Sequence, residues 1–454
     1  MLRSGAAWRC LNHFTVKTGS HGFTFHRALM QVTPPILSVT PNRALVDEKF
    51  KVLVENLPPG CPVTVRSLHR SEDEDDWEAY GHYVSDHRGI VSVSEDLSFG
   101  GTYTGKEPMA LLWSMRPVPG SRPGLRLRKQ NVCTPMVVNI SVHSGHEGFR
   151  DRAPLASAVT ERWYMAPGVQ RIDINEQGVR GTLFIPPGPG PFPGLLDLWG
   201  GGGGLVEYRA ALLASHGYVS LALNYLLLNQ ESANVFTYFE TAFNIIKDHP
   251  QVIPDRVGIL GLSLGSLVAL SLVAYSTVIK PRCVVCISCN HFYPPGSTFM
   301  SQFADLSSQF SKVRVDEDDN LIWKYAALEF IADPSKTVEV GRINCPMLLV
   351  NGCDDQSWPS VETAEEIARM MREVGKEHLL SRLAYPGSGH LIEPPFLPHF
   401  RATNFIIRNI KQKVKYLWGG QTKPHSDAQE DSWRKILSFL QLHLCCAPSL
   451  KAKL

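Results

Sequence analysis

Hydrophobic and polar residues alternate with period two through several short runs in the first third of the chain. The runs are Phe50-Lys-Val-Leu-Val54, Val63-Thr-Val-Arg-Ser-Leu68, Gly89-Ile-Val-Ser-Val-Ser94, Ala110-Leu-Leu-Trp113 and Met136-Val-Val-Asn-Ile-Ser-Val142. Alternation puts every second side chain on one face, so each run predicts a strand. Turn-rich separators such as Leu57-Pro-Pro-Gly60 and Pro117-Val-Pro-Gly120 part them. With no helical period between them, residues 32–158 predict an immunoglobulin-like antiparallel β-sandwich. The acidic run Glu72-Asp-Glu-Asp-Asp76 reads as a solvated hairpin tip, because no metal-ligand spacing accompanies it.

From about residue 159 to 446 the pattern becomes strand–helix alternation. Strands are expected at 179–186, 194–198, 218–225, 256–262, 283–289, 347–352 and 380–385, with helices at 205–215, 235–247, 264–275 and 361–374. A last helix is expected at 433–444 behind a Ser432 N-cap. Such alternation predicts βαβ units, hence an α/β architecture with a mostly parallel sheet and helices on both faces.

Composition narrows the function. The chain has 454 residues, with 45 Lys+Arg against 43 Asp+Glu, leaving +2. That balance lacks the basic footprint of a nucleic-acid binder. The uncharged stretch 257–279 is long enough to cross a bilayer, but it opens as a strand and carries serines and glycines, so no membrane span is expected. Ten cysteines are too few for a disulfide scaffold. Three of them, Cys283, Cys286 and Cys289, have metal-like spacing. They lie in an apolar run that alternation splits, with Cys286 on one face and the other two on the opposite one, so neither a metal nor any other cofactor is expected.

The ends carry two addresses. No acid precedes Asp47, while Arg3, Arg9, Lys17, Arg27 and Arg43 are basic, the composition of a mitochondrial transit peptide, so residues 1–31 read as a targeting or a disordered extension. Residues 447–454 end in Ala452-Lys453-Leu454, similar to a peroxisomal signal. Initiation at Met30 would keep only the second.

Three elements carry chemistry. Gly261-Leu-Ser263-Leu-Gly265 falls where a strand turns into a helix, the context of a nucleophile elbow. A serine needs a base oriented by an acid. In the α/β-hydrolase order these come from later strand ends, and the matching loops are Gly352-Cys-Asp354-Asp355 and Pro386-Gly-Ser-Gly-His390. Spacing alone leaves Asp354 and Asp355 both open. His399, His425 and His443 lack a strand–loop context and read as surface or packing residues. Trp199-Gly200-Gly-Gly-Gly-Gly204 follows a strand. Its amides, those of Gly201 and Gly202 in particular, suit an oxyanion hole together with the Leu264 N–H. These elements point to an α/β-hydrolase domain behind the sandwich.

The chain resembles the type I acyl-CoA thioesterase family, homologous to bile acid-CoA:amino acid N-acyltransferase. The matching stretches are Phe99-Gly-Gly-Thr-Tyr-Thr-Gly105, Met109-Ala-Leu-Leu-Trp-Ser-Met115, Gly181-Thr-Leu-Phe-Ile-Pro-Pro187, Gly203-Gly-Leu-Val-Glu-Tyr-Arg209, Tyr238-Phe-Glu240, His249-Pro250, Gly389-His-Leu-Ile-Glu-Pro-Pro395 and Trp418-Gly-Gly420. The resemblance implies a triad of Ser263, His390 and Asp355, and hydrolysis of fatty acyl-CoA through an acyl-enzyme. Two stretches depart from it: Leu264 stands where the family often has Lys, and the segment after Tyr225 lacks its acidic character.

The alternatives are acyl transfer to an amino acid and a catalytically silent acyl-CoA-binding homologue. The transferase branch carries a Cys nucleophile, so Ser263 speaks for hydrolysis. The insertion at 290–340, with Phe292, Phe299, Phe303, Phe310 and Trp323, suits either an acyl-pocket roof or ordinary packing. Arg126, Arg128 and Lys129 suit either CoA phosphates or, as the plainer reading, a solvated strand edge.

Overall fold

A computed structural model describes residues 33–201, 204–225, 235–292, 313–331, 334–407 and 412–446. The N-terminal extension, Gly202, the segment after Tyr225, Phe299, Phe303, Phe310 and the Ala452-Lys453-Leu454 end lie outside the described residues.

Eight strands form the large sheet of the second half. In chain order they are β1 (Gln170–Glu176), β2 (Val179–Ile185), β3 (Phe192–Leu198), β4 (Val219–Leu223), β5 (Val252–Leu262), β6 (Val284–Ile287), β7 (Met347–Gly352) and β8 (Leu380–Tyr385). Their spatial order is β1-β2-β4-β3-β5-β6-β7-β8. The first two pairings, β1 with β2 and β2 with β4, are antiparallel, and all the others are parallel. Among the described residues, the helices of this half are α1 (Tyr208–Ser215), α2 (Val235–Lys247), α3 (Leu264–Tyr275), α4 (Lys324–Ile331), α5 (Ser360–Glu373) and α6 (Thr422–Leu440).

Successive residues of β5 face different cores. Leu260 and Leu262 pack with α1 and α6, whereas Val257 and Ile259 pack with α2, α3 and α5. A strand covered on both faces must be apolar at every position, which is why this stretch reads as a continuous hydrophobic run. The fold is therefore α/β, with helices on both sides of a mostly parallel sheet.

The first third forms two β-sheets. One joins Ile36–Thr40, Lys51–Glu55 and Val91–Ser92; the other joins six strands, among them Pro62–Arg70, Asp76–Val84, Met136–Ser144 and Ala156–Trp163. Side chains of both sheets, such as Val52, Val65 and Ile140, enclose one apolar core. That core continues into the α1 and α6 face of the large sheet.

Three expectations change. Ala110–Trp113 is one helical turn with all four side chains buried, because it plugs the sandwich and is no strand. Ser432 is no cap: α6 begins ten residues earlier, and the Ser432 hydroxyl donates back to the Gln429 carbonyl. Cys289 lies on the side of Cys286, not Cys283, since β6 ends at Ile287 and Ser288 turns the chain at φ 47°. The acidic run at 72–76 stands, as expected, at the tip of the hairpin between Pro62–Arg70 and Asp76–Val84, with Glu72, Asp73 and Glu74 exposed; Glu72 also accepts Lys129 and the Gln130 N–H.

Candidate active site

β5 runs directly into α3, and Ser263 occupies the corner at φ 56° and ψ −121°. That conformation is strained for a residue with a side chain. It is held because the Ser263 N–H donates to the Ile287 carbonyl at 2.9 Å. A Cβ on Gly265 would come within 2.1 Å of the Leu198 carbonyl oxygen, so only glycine lets the first turn of α3 press against the end of β3. The N–H of Leu264 is the first amide of α3 and has no acceptor within the helix. Its side chain is buried in the core behind the sheet, an apolar residue where the resemblance suggests a cation.

His390 arrives from the loop after β8 and Asp355 from the loop after β7. The Ser263 hydroxyl donates to His390 Nε2 at 2.8 Å, and His390 Nδ1–H donates to Asp355 Oδ2 at 2.8 Å. All three side chains are buried. The His390 backbone is gripped on both sides, its N–H by the Trp418 carbonyl and its carbonyl by the Ser288 hydroxyl. Of the two acids, Asp355 is the one that reaches His390. Asp354 faces outward, accepting Arg401 and the Gly420 N–H.

The glycine loop lies against the serine: a Cβ on Gly200 would sit 3.2 Å from Ser263 Cβ. Gly201 follows directly; Gly202 lies outside the described residues. A buried ion pair braces the loop's root. Arg209 of α1 donates to Asp197 of β3 at 2.8 Å and to the Leu198 carbonyl, and it covers the Trp199 ring at 4.6 Å. Burial pushes the Asp197 carboxyl up from its ordinary range, and the Arg209 charge pulls it back. The Tyr225 hydroxyl donates to the Trp199 carbonyl.

Sequence reasoning missed a second group on the Ser263 hydroxyl. The Trp358 indole N–H donates to Ser263 Oγ at 3.1 Å. Trp358 belongs to an aromatic cluster with Phe292, Trp323, Tyr416 and Trp418, separate from the two cores that cover the sheet. Trp418 also stacks on the His390 ring, with centroids 5.6 Å apart. Part of this cluster rests on a small sheet in which Ala402–Ile407 and Gln412–Leu417 pair. Only the spacing Asp355-Gln-Ser-Trp358 hints at it in the sequence.

Two of the three histidines set aside earlier have structural work. His425 is fully buried beneath the loop that carries His390, where Gly389 N–H donates to its Nδ1 and its Nε2–H donates to the Leu391 carbonyl. Burial, with His399 nearby, pushes its pKa down to about 3. His399 bonds the Gly419 carbonyl. The basic residues do not form a solvated strand edge. Arg126 is paired with buried Glu393, Lys129 with Glu72, and Arg128 and Lys129 line a cavity of about 170 Å³ beside Tyr164 and Tyr208. The charge of Arg126, with burial, draws Arg128 down to about 10.

Residues 47–176 match the acyl-CoA thioester hydrolase/BAAT N-terminal region, and residues 235–446 match the BAAT/acyl-CoA thioester hydrolase C-terminal region. The chain is 37% identical over 420 residues to a mouse peroxisomal succinyl-coenzyme A thioesterase, covering 90% of this chain and 96% of that one. It is 35% identical to mouse acyl-coenzyme A thioesterase 1, with the same coverage of each chain. Mouse acyl-coenzyme A thioesterase 2, a mitochondrial protein, is also 35% identical, with 91% of this chain and 90% of that one covered. By sequence along nearly its whole length, the chain belongs to the acyl-CoA thioester hydrolase/BAAT family.

Proposed function

We propose that this chain is a serine hydrolase that cleaves fatty acyl-CoA to free acid and CoA. The observation that carries the reading is the unbroken line Asp355–His390–Ser263 at the foot of an aromatic cluster, in a chain of this family. Ser263 Oγ attacks the thioester carbonyl while its proton passes to His390 Nε2, and Asp355 holds the imidazole in the required tautomer. The oxyanion is stabilised by the Leu264 N–H and by an amide of the Gly201–Gly202 loop, each such donor contributing about 3 kcal/mol. CoA leaves as a thiolate that takes the proton from His390. Water then gives a proton to His390, attacks the ester carbon and releases the acid.

The apolar character of the cluster favours an apolar acyl chain, since a carboxylate buried there would lack partners. Thiol release from acyl-CoAs of increasing chain length and from succinyl-CoA tests this, with and without glycine or taurine. Release that requires Ser263 and ignores the amine is the expected result. Amide product would assign the chain to acyl transfer, and no turnover from folded protein would leave a silent binder. With relatives named for mitochondria and for peroxisomes, an organelle is the compartment we propose. Imaging tagged forms begun at Met1 and at Met30 tests it.

A further inference from the structure

In addition to the triad, Ser263 Oγ receives a hydrogen bond that the mechanism above does not use. Trp358 Nε1–H donates to it at 3.1 Å from a buried ring, which packs on Phe292 with centroids 5.4 Å apart. The ring is placed by the same carboxylate that places the base. Asp355 Oδ2 accepts His390 Nδ1–H, and Asp355 Oδ1 accepts the backbone N–H groups of Ser357 and Trp358, each at 2.9 Å. The contacts close a ring: Asp355 to His390, His390 to Ser263, Ser263 to Trp358, and Trp358 back to Asp355.

A hydroxyl oxygen is tetrahedral. At Ser263 one direction is the bond to Cβ, a second is the proton aimed at His390, and a third is the lone pair held by Trp358. A single lone pair remains, and its direction is thereby determined. The indole also remains a donor throughout the reaction, because its proton is not acidic enough to transfer. It therefore favours negative charge on Oγ at two moments. The first comes as the O–H proton moves to His390 and the C–O bond forms. The second comes when the acyl-enzyme C–O bond breaks, the electron pair returns to Oγ, and His390 gives the proton back.

We infer that Trp358 is a further catalytic residue, aiming the attacking lone pair of Ser263 and stabilising Oγ as nucleophile and as leaving group. The inference rests on Ser263 being the nucleophile of the proposed hydrolysis, but its test does not need the right thioester. Labelling by a fluorophosphonate reads Ser263 reactivity directly. Trp358→Phe keeps an aromatic ring and removes the donor. The expected result is labelling slowed about 10- to 100-fold, the range for a hydrogen bond to a developing charge. On a turned-over acyl-CoA, kcat falls with KM unchanged, because acylation and deacylation both lose the donor. Should Trp358→Phe fail to fold, replacing Trp358 by the isosteric benzothienylalanine, which has sulfur for N–H, asks the same question. Labelling of either folded variant at the wild-type rate would overturn the inference. Wild type that labels readily but releases no CoA from any thioester would overturn the proposed substrate and leave the role of Trp358 to be decided by the labelling rates.

Discussion

Asp354 and Asp355 are neighbours in the chain, yet only one faces the histidine. Asp355 is buried and divides its two oxygens between His390 and two backbone amides; Asp354 meets a half-exposed Arg401 at the surface. Asp355→Asn should lower kcat by about four orders of magnitude, because an amide stabilises the wrong imidazole tautomer. Asp354→Asn should leave kcat within a few-fold and stability within about 1 kcal/mol, as expected for an exposed pair. Steady-state thiol release and thermal melts separate the two. His425 supports a pH prediction. Its folded pKa, about 3, lies below the unfolded value of 6.5, so the unfolded chain binds the extra proton between them. Its contribution to stability is therefore present above pH 6.5 and lost as pH falls toward 3. Urea unfolding at pH 7 and pH 5 should show a loss for wild type that is smaller in His425→Gln. An equal loss in both would assign it to other groups. Neither the choice of acid nor the burial of His425 is visible in spacing, since both depend on which way a side chain faces.

At the scale of elements, the site stands on the junction of β3, β5 and α3. Gly265 permits that contact, and the Arg209–Asp197 pair fixes the loop beside it. Replacing Arg209 by Met leaves a buried carboxylate without its cation, which costs about 3–5 kcal/mol when one partner alone is removed. A lowered melting temperature together with lost turnover is expected. Unchanged melting would show that the pair contributes little to the fold. The elbow was legible because a strand, a glycine-flanked serine and a helix follow one another locally. The start of α6 was not. Its buried positions His425, Ala428, Gln429 and Ser432 keep helical spacing, but mostly polar residues occupy them, so the hydrophobic pattern first emerges at Trp433.

Across the whole molecule, the sandwich and the hydrolase sheet are locked together next to the site. Trp77 meets Phe400 edge-on at 5.8 Å, Trp433 donates to Asp47, and Glu393, three residues after His390, holds both Arg126 and the Tyr208 hydroxyl. With one apolar core running through both, calorimetry should give a single unfolding transition. Two separated transitions would show that the halves unfold independently. Arg126→Ala, which strips the cation from a buried glutamate, should lower both stability and kcat, because the glutamate shares a loop with His390, the proposed base. By itself the sequence determined the two architectures, the strand–helix alternation, the elbow at Ser263 and the loop of His390, because each is written in residues close together in the chain. Spacing left Asp354 and Asp355 both open and the family resemblance pointed to Asp355; the tertiary structure put Asp355 on His390, set Trp358 on the Ser263 hydroxyl, paired Arg126 with buried Glu393 and Lys129 with Glu72, and placed His425 under the His390 loop. Those outcomes depend on which distant segments meet and which side chains they exclude from water, and local periodicity carries no record of either.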